Sequence, residues 1–104
     1  MTFVPQLIPI TRGIYTTCVA AARDGVSAAA VETAFRKHYA AAPFVRYHPE
    51  RMPEVKRVTG TNYIDVTARF VPERGQIIVL ATIDNLLKGA AGQAVQNMNL
   101  ACGF

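Results

Sequence analysis

Tryptophan is absent, and the chain has two cysteines, Cys18 and Cys102, and two histidines, His38 and His48. Two cysteines make no disulfide framework and have no zinc-ligand spacing, so a reducing compartment with free thiols is the default. No window approaches the roughly 18 consecutive apolar residues of a membrane-spanning helix. The opening Met1-Thr2-Phe3-Val4-Pro5 lacks the basic start and apolar run of a secretory signal, which points to the cytoplasm. Charged residues make up 17% of the sequence, and none lies between Gly89 and Phe104.

What is present is apolar. Hydrophobic residues reach 51% of 104 positions, and mean hydropathy is +0.18. That composition excludes intrinsic disorder, and the length fits one domain spanning residues 1–104. A domain so small and so apolar often carries a face meant for a partner. Net charge is +4. Arg46, Arg51, Lys56 and Arg57 cluster with Glu50 and Glu54 between them, reading as a solvated loop. A nucleic-acid surface would show more charge and interleaved aromatics. The charge also suits an anionic small molecule.

Residues 2–10 read as an extended segment, confined by Pro5 and Pro9 to an edge or irregular strand. Residues 14–22 form a strand candidate, and Asp24-Gly25 a turn. Ser27 caps a helix to about Ala41, with an apolar stripe of Val31, Ala34, Phe35, His38 and Tyr39. Pro43 stops it. Residues 44–47 are a short strand and 48–60 an irregular connection. Over 62–71, Ile64, Val66, Ala68 and Phe70 alternate with Asp65, Thr67 and Arg69, predicting a half-buried strand. Pro72–Gly75 turns the chain into a hairpin partner, 76–83, apolar on both faces. One of those faces needs a cover, another subunit being one candidate. Asp84 or Asn85 caps a last helix from 86 to about 102, with Leu87, Ala91, Ala94, Met98 and Ala101 as its core stripe. The pattern predicts an α+β fold with a mostly antiparallel sheet and two helices.

The last helix is the most informative segment. Its polar positions are amides: Gln93, Gln96, Asn97 and Asn99. Gly89-Ala90-Ala91-Gly92 has almost no side-chain bulk, although each helical glycine costs on the order of 1 kcal/mol. Such a run admits a close backbone or a flat ligand. Neutral amides suit a buried polar interface better than charges do. The helix reads either as buried in its own domain or as packed on a second domain or cofactor.

The residues Asp84-Asn85-Leu86-Leu87-Lys88-Gly89-Ala90-Ala91-Gly92-Gln93-Ala94-Val95-Gln96-Asn97-Met98-Asn99 resemble a signature of the N-acetyl-gamma-glutamyl-phosphate reductase family. So do Leu7-Ile8-Pro9-Ile10-Thr11-Arg12-Gly13-Ile14, Ala42-Pro43-Phe44-Val45-Arg46 and Gly60-Thr61-Asn62-Tyr63-Ile64-Asp65, in the same order. The resemblance implies a C-terminal catalytic and dimerisation domain like that of semialdehyde and glyceraldehyde-phosphate dehydrogenases. It implies an NADP-dependent reduction of an acyl phosphate in arginine biosynthesis. It also implies homo-oligomers formed through the sheet, and a Rossmann domain packed on the last helix.

Within that resemblance, Asn85 corresponds to an asparagine near the nicotinamide, its other role being a helix N-cap. Arg12 corresponds to a substrate-pocket arginine, the alternative being a pairing with Asp65 or Asp84. Lys88 adds positive charge near an anionic cofactor or simply faces solvent. No catalytic or metal residue is expected in this segment. It lacks a Gly-x-Gly-x-x-Gly fingerprint, so NADP would be bound mainly by a Rossmann domain that is absent here. The nucleophile motif is also absent. Cys18 reads as a buried inert thiol, His38 as a packed histidine, and His48-Pro49-Glu50 as a chance echo of the family's acid/base motif. Gln6 stands where many members have histidine.

Overall fold

A computed structural model describes residues 3–104. Thr2, the first residue of the predicted N-terminal extended segment, lies outside the described residues. Residues 3–13 run without regular structure and are almost wholly exposed, so the expected edge strand is absent there. Pro5 and Pro9 bring no N–H to a ladder, and Ile10 N–H donates to the nearby Ile8 carbonyl (2.8 Å).

The regular elements are β1 (Ile14–Ala21), α1 (Ala28–Tyr39), β2 (Val45–Tyr47), α2 (Val55–Val58), β3 (Ile64–Val71), β4 (Gln76–Ile83) and α3 (Gly92–Cys102). The four strands form one sheet in the order β1-β4-β3-β2. β1 pairs with β4, and β4 with β3, antiparallel; β2 and β3 are parallel. The sheet is therefore mixed rather than mostly antiparallel. The parallel pair exists because residues 48–63 supply the roughly dozen residues a crossover needs. That crossover contains α2, a helical turn that the sequence pattern did not suggest.

α1 begins where expected: Ser27 Oγ accepts from Ala30 N–H (3.2 Å). It lies over β2 and β3. Val31 is buried, and Phe35 stacks on Tyr47 with ring centroids 5.4 Å apart. The predicted stripe narrows to Val31, Phe35 and Tyr39. Ala34 and His38 are exposed, so His38 is not a packed core residue. The short sheet edge beneath α1 leaves nothing for its flanks to pack on.

β3 departs most from its pattern. Val66 and Ala68 are buried beneath α1, as alternation predicts. Yet Asp65 and Thr67 on the opposite face are both 0% exposed. The 48–60 crossover covers that second face. Thr67 Oγ1 donates to the His48 carbonyl, and Arg46 Nη2 donates to the Arg57 carbonyl (3.2 Å). Pro53 and Val58 are buried in the cover. Residues directly opposite across the ladders share a face, so Arg46, Asp65 and Thr82 form a row under this strap. Asp65 is neutralised by Arg46 Nε at 2.6 Å, with His48 Nε2 at 3.4 Å. Arg46 thus leaves the solvated basic loop, whereas Arg51, Lys56 and Arg57 stay exposed.

Away from α1 and this strap, the β1 side of the sheet is bare. Every residue of β1 is exposed. Cys18, expected as a buried thiol, lies open on that edge strand, because α1 reaches only the β2–β3 side. The chain exposes 7503 Å², against about 5,700 Å² for a compact monomer of this mass. Its radius of gyration is 15.2 Å, against about 13 Å for a compact domain of this length.

A denaturation series separates the buried from the exposed ion pair. Removing Arg46 leaves a fully buried carboxylate with only His48 beside it at 3.4 Å, so Arg46→Met should cost about 2 kcal/mol or more. Arg36, paired with Glu32 at 2.8 Å across one exposed helical turn, is a surface case, and Arg36→Ala should cost under about 0.5 kcal/mol. Urea midpoints of the two variants check the contrast.

Candidate functional site

Four parts of the chain meet at one end of the sheet, where β1 begins and β4 ends. They are the Arg12-Gly13 junction, the Gly60 turn after α2, the Asp84-Asn85 pair after β4, and the start of the last helix. Asp84 joins them. Its side chain is 0% exposed. Oδ1 accepts from Leu86 N–H (2.8 Å) and Leu87 N–H (3.0 Å), capping the helical segment. Oδ2 accepts from Gly60 N–H (2.8 Å) and lies 3.8 Å from Arg12 Nη1. A carboxylate at a helix start also meets the positive end of the backbone dipoles.

The hydrogen bond from Gly60 is the main reason the Asp84 carboxyl sits below its ordinary pKa. Burial opposes it, and the Leu87 and Leu86 N–H groups and Arg12 add to the lowering.

Arg12 therefore pairs with Asp84 and not with Asp65, which Arg46 occupies. Its side chain remains about half exposed. Asn85 does not cap the helix; Asp84 does. Asn85 Oδ1 instead accepts from Gly13 N–H at 2.8 Å, across 72 positions of sequence. An N–H can only donate, so this bond fixes the amide's orientation. Asn85 Nδ2 has no partner among the described residues and remains a pure donor. Gly13 has φ +114°, and a Cβ there would overlap Val55 Cγ1. Glycine at 13 is thus required by both conformation and space.

The last helical segment opens with a π-helical turn, Leu87–Ala91. Gly89 N–H donates to the Asp84 carbonyl (3.0 Å) and Ala91 N–H to the Leu86 carbonyl (3.1 Å), each five residues back. This turn inserts an extra residue into the helical register. The core stripe expected from a uniform 3.6 period consequently fails beyond it. Ala91, Ala94, Met98 and Ala101 are exposed, and Gly92, Gln93, Gln96 and Asn99 form the half-buried side.

Lys88 is half-buried rather than solvent-facing. Its Nζ donates to Gln96 Oε1 (2.7 Å) and lies 5.4 Å from the Phe44 ring centre. Burial lowers its pKa from the ordinary lysine value. Gln96 Oε1 also accepts from Asn62 Nδ2 (3.2 Å). Lysine is donor-only, so Gln96 must turn its oxygen inward. A Cβ on Gly92 would overlap Asn62 Oδ1, which explains one of the two glycines in this segment. The acceptors of Asp84, Asn85 and Gln96 are all consumed within the domain. What remains toward solvent are donors, the Arg12 guanidinium, Asn85 Nδ2 and the Lys88 ammonium, while the unpartnered acceptor Asn62 Oδ1 is buried against Gly92. Chemically this arrangement favours an anionic, acceptor-rich ligand.

His48 lies elsewhere, at the start of the strap, where Arg51 Nη2 meets its Nε2 at 2.9 Å. Cys18 and Cys102 are exposed and belong to neither cluster. No group of three His, Cys, Asp or Glu that could hold a metal occurs among the described residues. Sequence reasoning missed the Gly60 turn and Asn62 as members of this end. The positive φ of Gly60 (+78°) has no sequence mark beyond the glycine itself.

Residues 1–85 match the family model described as "Semialdehyde dehydrogenase, dimerisation domain". The chain belongs to that family. It is 45% identical over all its length to the N-acetyl-gamma-glutamyl-phosphate reductase of Desulforapulum autotrophicum. It is 47% identical over 98% of its length to that of Limosilactobacillus fermentum, and 42% identical over its full length to that of Methanococcus maripaludis. In each case it spans about 30% of the relative's length. The α+β fold observed here, with its mixed four-stranded sheet, is consistent with a semialdehyde dehydrogenase dimerisation domain.

The depressed Asp84 pKa makes a pH prediction for this family member. A carboxyl whose folded pKa lies below its unfolded value contributes stability above the unfolded value of about 3.9, and that stability is lost as pH falls through the folded value. Asp84→Asn should therefore destabilise the chain at pH 7 and flatten the fall of Tm below pH 4. Differential scanning fluorimetry from pH 3 to pH 7 measures both slopes.

Proposed function

We propose that this chain is the C-terminal catalytic and dimerisation segment of an NADP-dependent N-acetyl-gamma-glutamyl-phosphate reductase, working in the cytoplasm in arginine biosynthesis. The observation that carries the reading is the donor-lined end of the sheet, in a chain whose curated relatives bear that name over its whole length. In this reading Arg12 receives an anionic group of the acyl phosphate substrate, for which a guanidinium offers two parallel N–H donors. Asn85 and Lys88 face the cofactor. The residues fit such a group: Asn85 Nδ2 is free to donate to a carboxamide oxygen, and Gly89, Ala90 and Ala91 leave a low, exposed surface beside it. NADP, when bound, supplies reducing equivalents as hydride. The nucleophilic cysteine and the Rossmann domain are contributed by sequence outside this segment. That Rossmann domain packs on the outer side of α3, where Val95, Met98 and Leu100 are exposed.

A second reading, a dimerisation module without catalysis of its own, is favoured by the bare sheet. Among the described residues β1 has a free outer edge, and it exposes Ile14, Tyr15 and Val19. A free strand edge with apolar side chains is a pairing surface. The surplus area of the chain is of the size that protein–protein interfaces bury. The two readings are compatible, since a reductase subunit can dimerise through the same sheet, and neither involves nucleic acid or membrane.

Two measurements test them. The pure chain, mixed with NADPH and N-acetylglutamyl phosphate, should show no turnover; clear NADPH oxidation would contradict the segment reading. Sedimentation equilibrium at micromolar concentration should give a dimer, and a strict monomer would contradict assembly through the sheet.

A further inference from the structure

We infer that Asp84 is a positioning residue for Arg12: it aims the guanidinium at an anionic ligand without touching that ligand. The inference rests on the reading of Arg12 as an anion-binding residue. Asp84 is fully buried, so it cannot meet a ligand itself. Its distance to Arg12, 3.8 Å, is too long for a hydrogen bond. The guanidinium is therefore attracted and oriented while its N–H groups stay free for a two-point contact.

The carboxylate is itself immobile, because three backbone N–H groups from two segments hold it. The backbone next to Arg12 is held independently, by the bond from Gly13 N–H to Asn85 Oδ1. Consecutive residues 84 and 85 thus act on the same arginine, Asp84 by charge on its side chain and Asn85 by a hydrogen bond to the N–H of the next residue. Arg46, by comparison, spends its Nε on Asp65 and an Nη on the Arg57 carbonyl, which leaves it little to offer a ligand.

Asparagine at 84 is the discriminating substitution. Its carbonyl oxygen can still serve Leu86 and Leu87. The amide nitrogen would then face two donors, Gly60 N–H and Arg12, and the aim of Arg12 would be lost. The experiment uses the ¹⁵N-labelled chain with inorganic phosphate as the probe, followed by NMR at the Arg12 Nε and Asn85 Nδ2 signals. The wild-type chain should show saturable shifts at both. Asp84→Asn, with a dispersed spectrum confirming that it folds, should bind phosphate at least fivefold more weakly. In an Arg12→Gln background, where affinity is already low, Asp84→Asn should lower it no further. A merely structural role would lower it in both backgrounds.

A measurement on the wild type keeps the test valid if the variant fails to fold. The Arg12 Nε–H vector should be more ordered than that of Arg74, which is exposed and has no ion-pair partner among the described residues. A folded Asp84→Asn chain with unchanged phosphate affinity would overturn the inference alone. So would an Arg12 side chain as mobile as Arg74. Absence of any phosphate response in the wild type would overturn the anion-binding reading and the inference together.

Discussion

One buried carboxylate sets the layout of this domain's functional end. Asp84 follows β4 directly and cannot leave the interior, so every group that satisfies it must come to it. The start of the last helix comes because residues 86 and 87 are next in sequence. The Gly60 turn comes because its N–H donates to Oδ2 (2.8 Å). Arg12 comes because a desolvated anion attracts the cation within reach. Separately in sequence these are a loop glycine, a basic residue and a helix start. Together they form a surface of donors whose acceptors all point inward.

A second buried acid, Asp65, does for the middle of the sheet what Asp84 does for its end. It is compensated by Arg46 and covered by the crossover that joins two parallel strands. Between the two acids runs a series of contacts: Arg46 over the Tyr63 ring at 4.5 Å, Tyr63 beside Phe44 at 5.8 Å, and Lys88 near Phe44. The polar interior is thus organised around two acids with distinct partners, while the apolar residues of β1 and of the outer side of α3 remain uncovered. In a family of dimerisation domains, that distribution of burial matches a subunit with further surfaces to pair.

Much of the fold was legible in the residues. Ser27 and Pro43 marked the ends of α1, the alternation over 62–71 marked β3, and Asp24-Gly25 and Pro72–Gly75 marked turns. The failures have physical causes. Alternation assigned Asp65 and Thr67 to solvent, because pattern cannot foresee that a crossover will cover the polar face. The stripe of the last helix failed because a π-helical turn shifts the register, and nothing in Leu87–Ala91 announces it beyond small residues. Two prolines and an apolar composition made residues 2–10 look extended, although nothing pairs with the described part. At the site, Arg12 and Asn85 were readable from their resemblance to a family pattern. The pairing of Arg12 with Asp84 was one of two that the residues offered, whereas the bond from Gly13 to Asn85 was not foreseen, because it spans 72 positions.

The central claim is that Asp84, with Asn85 beside it, ties the Gly60 turn and the helix start into one unit with the Arg12-Gly13 junction. Native-state hydrogen exchange of the chain tests it most directly. Amides tied to one joint should open together. The account predicts that the Gly13, Gly60, Leu86 and Leu87 N–H groups exchange with a common opening free energy and a common response to denaturant. If Gly60 or Gly13 exchanges far faster than Leu86 and Leu87, as a freely moving loop amide would, the joint does not hold and the account is contradicted.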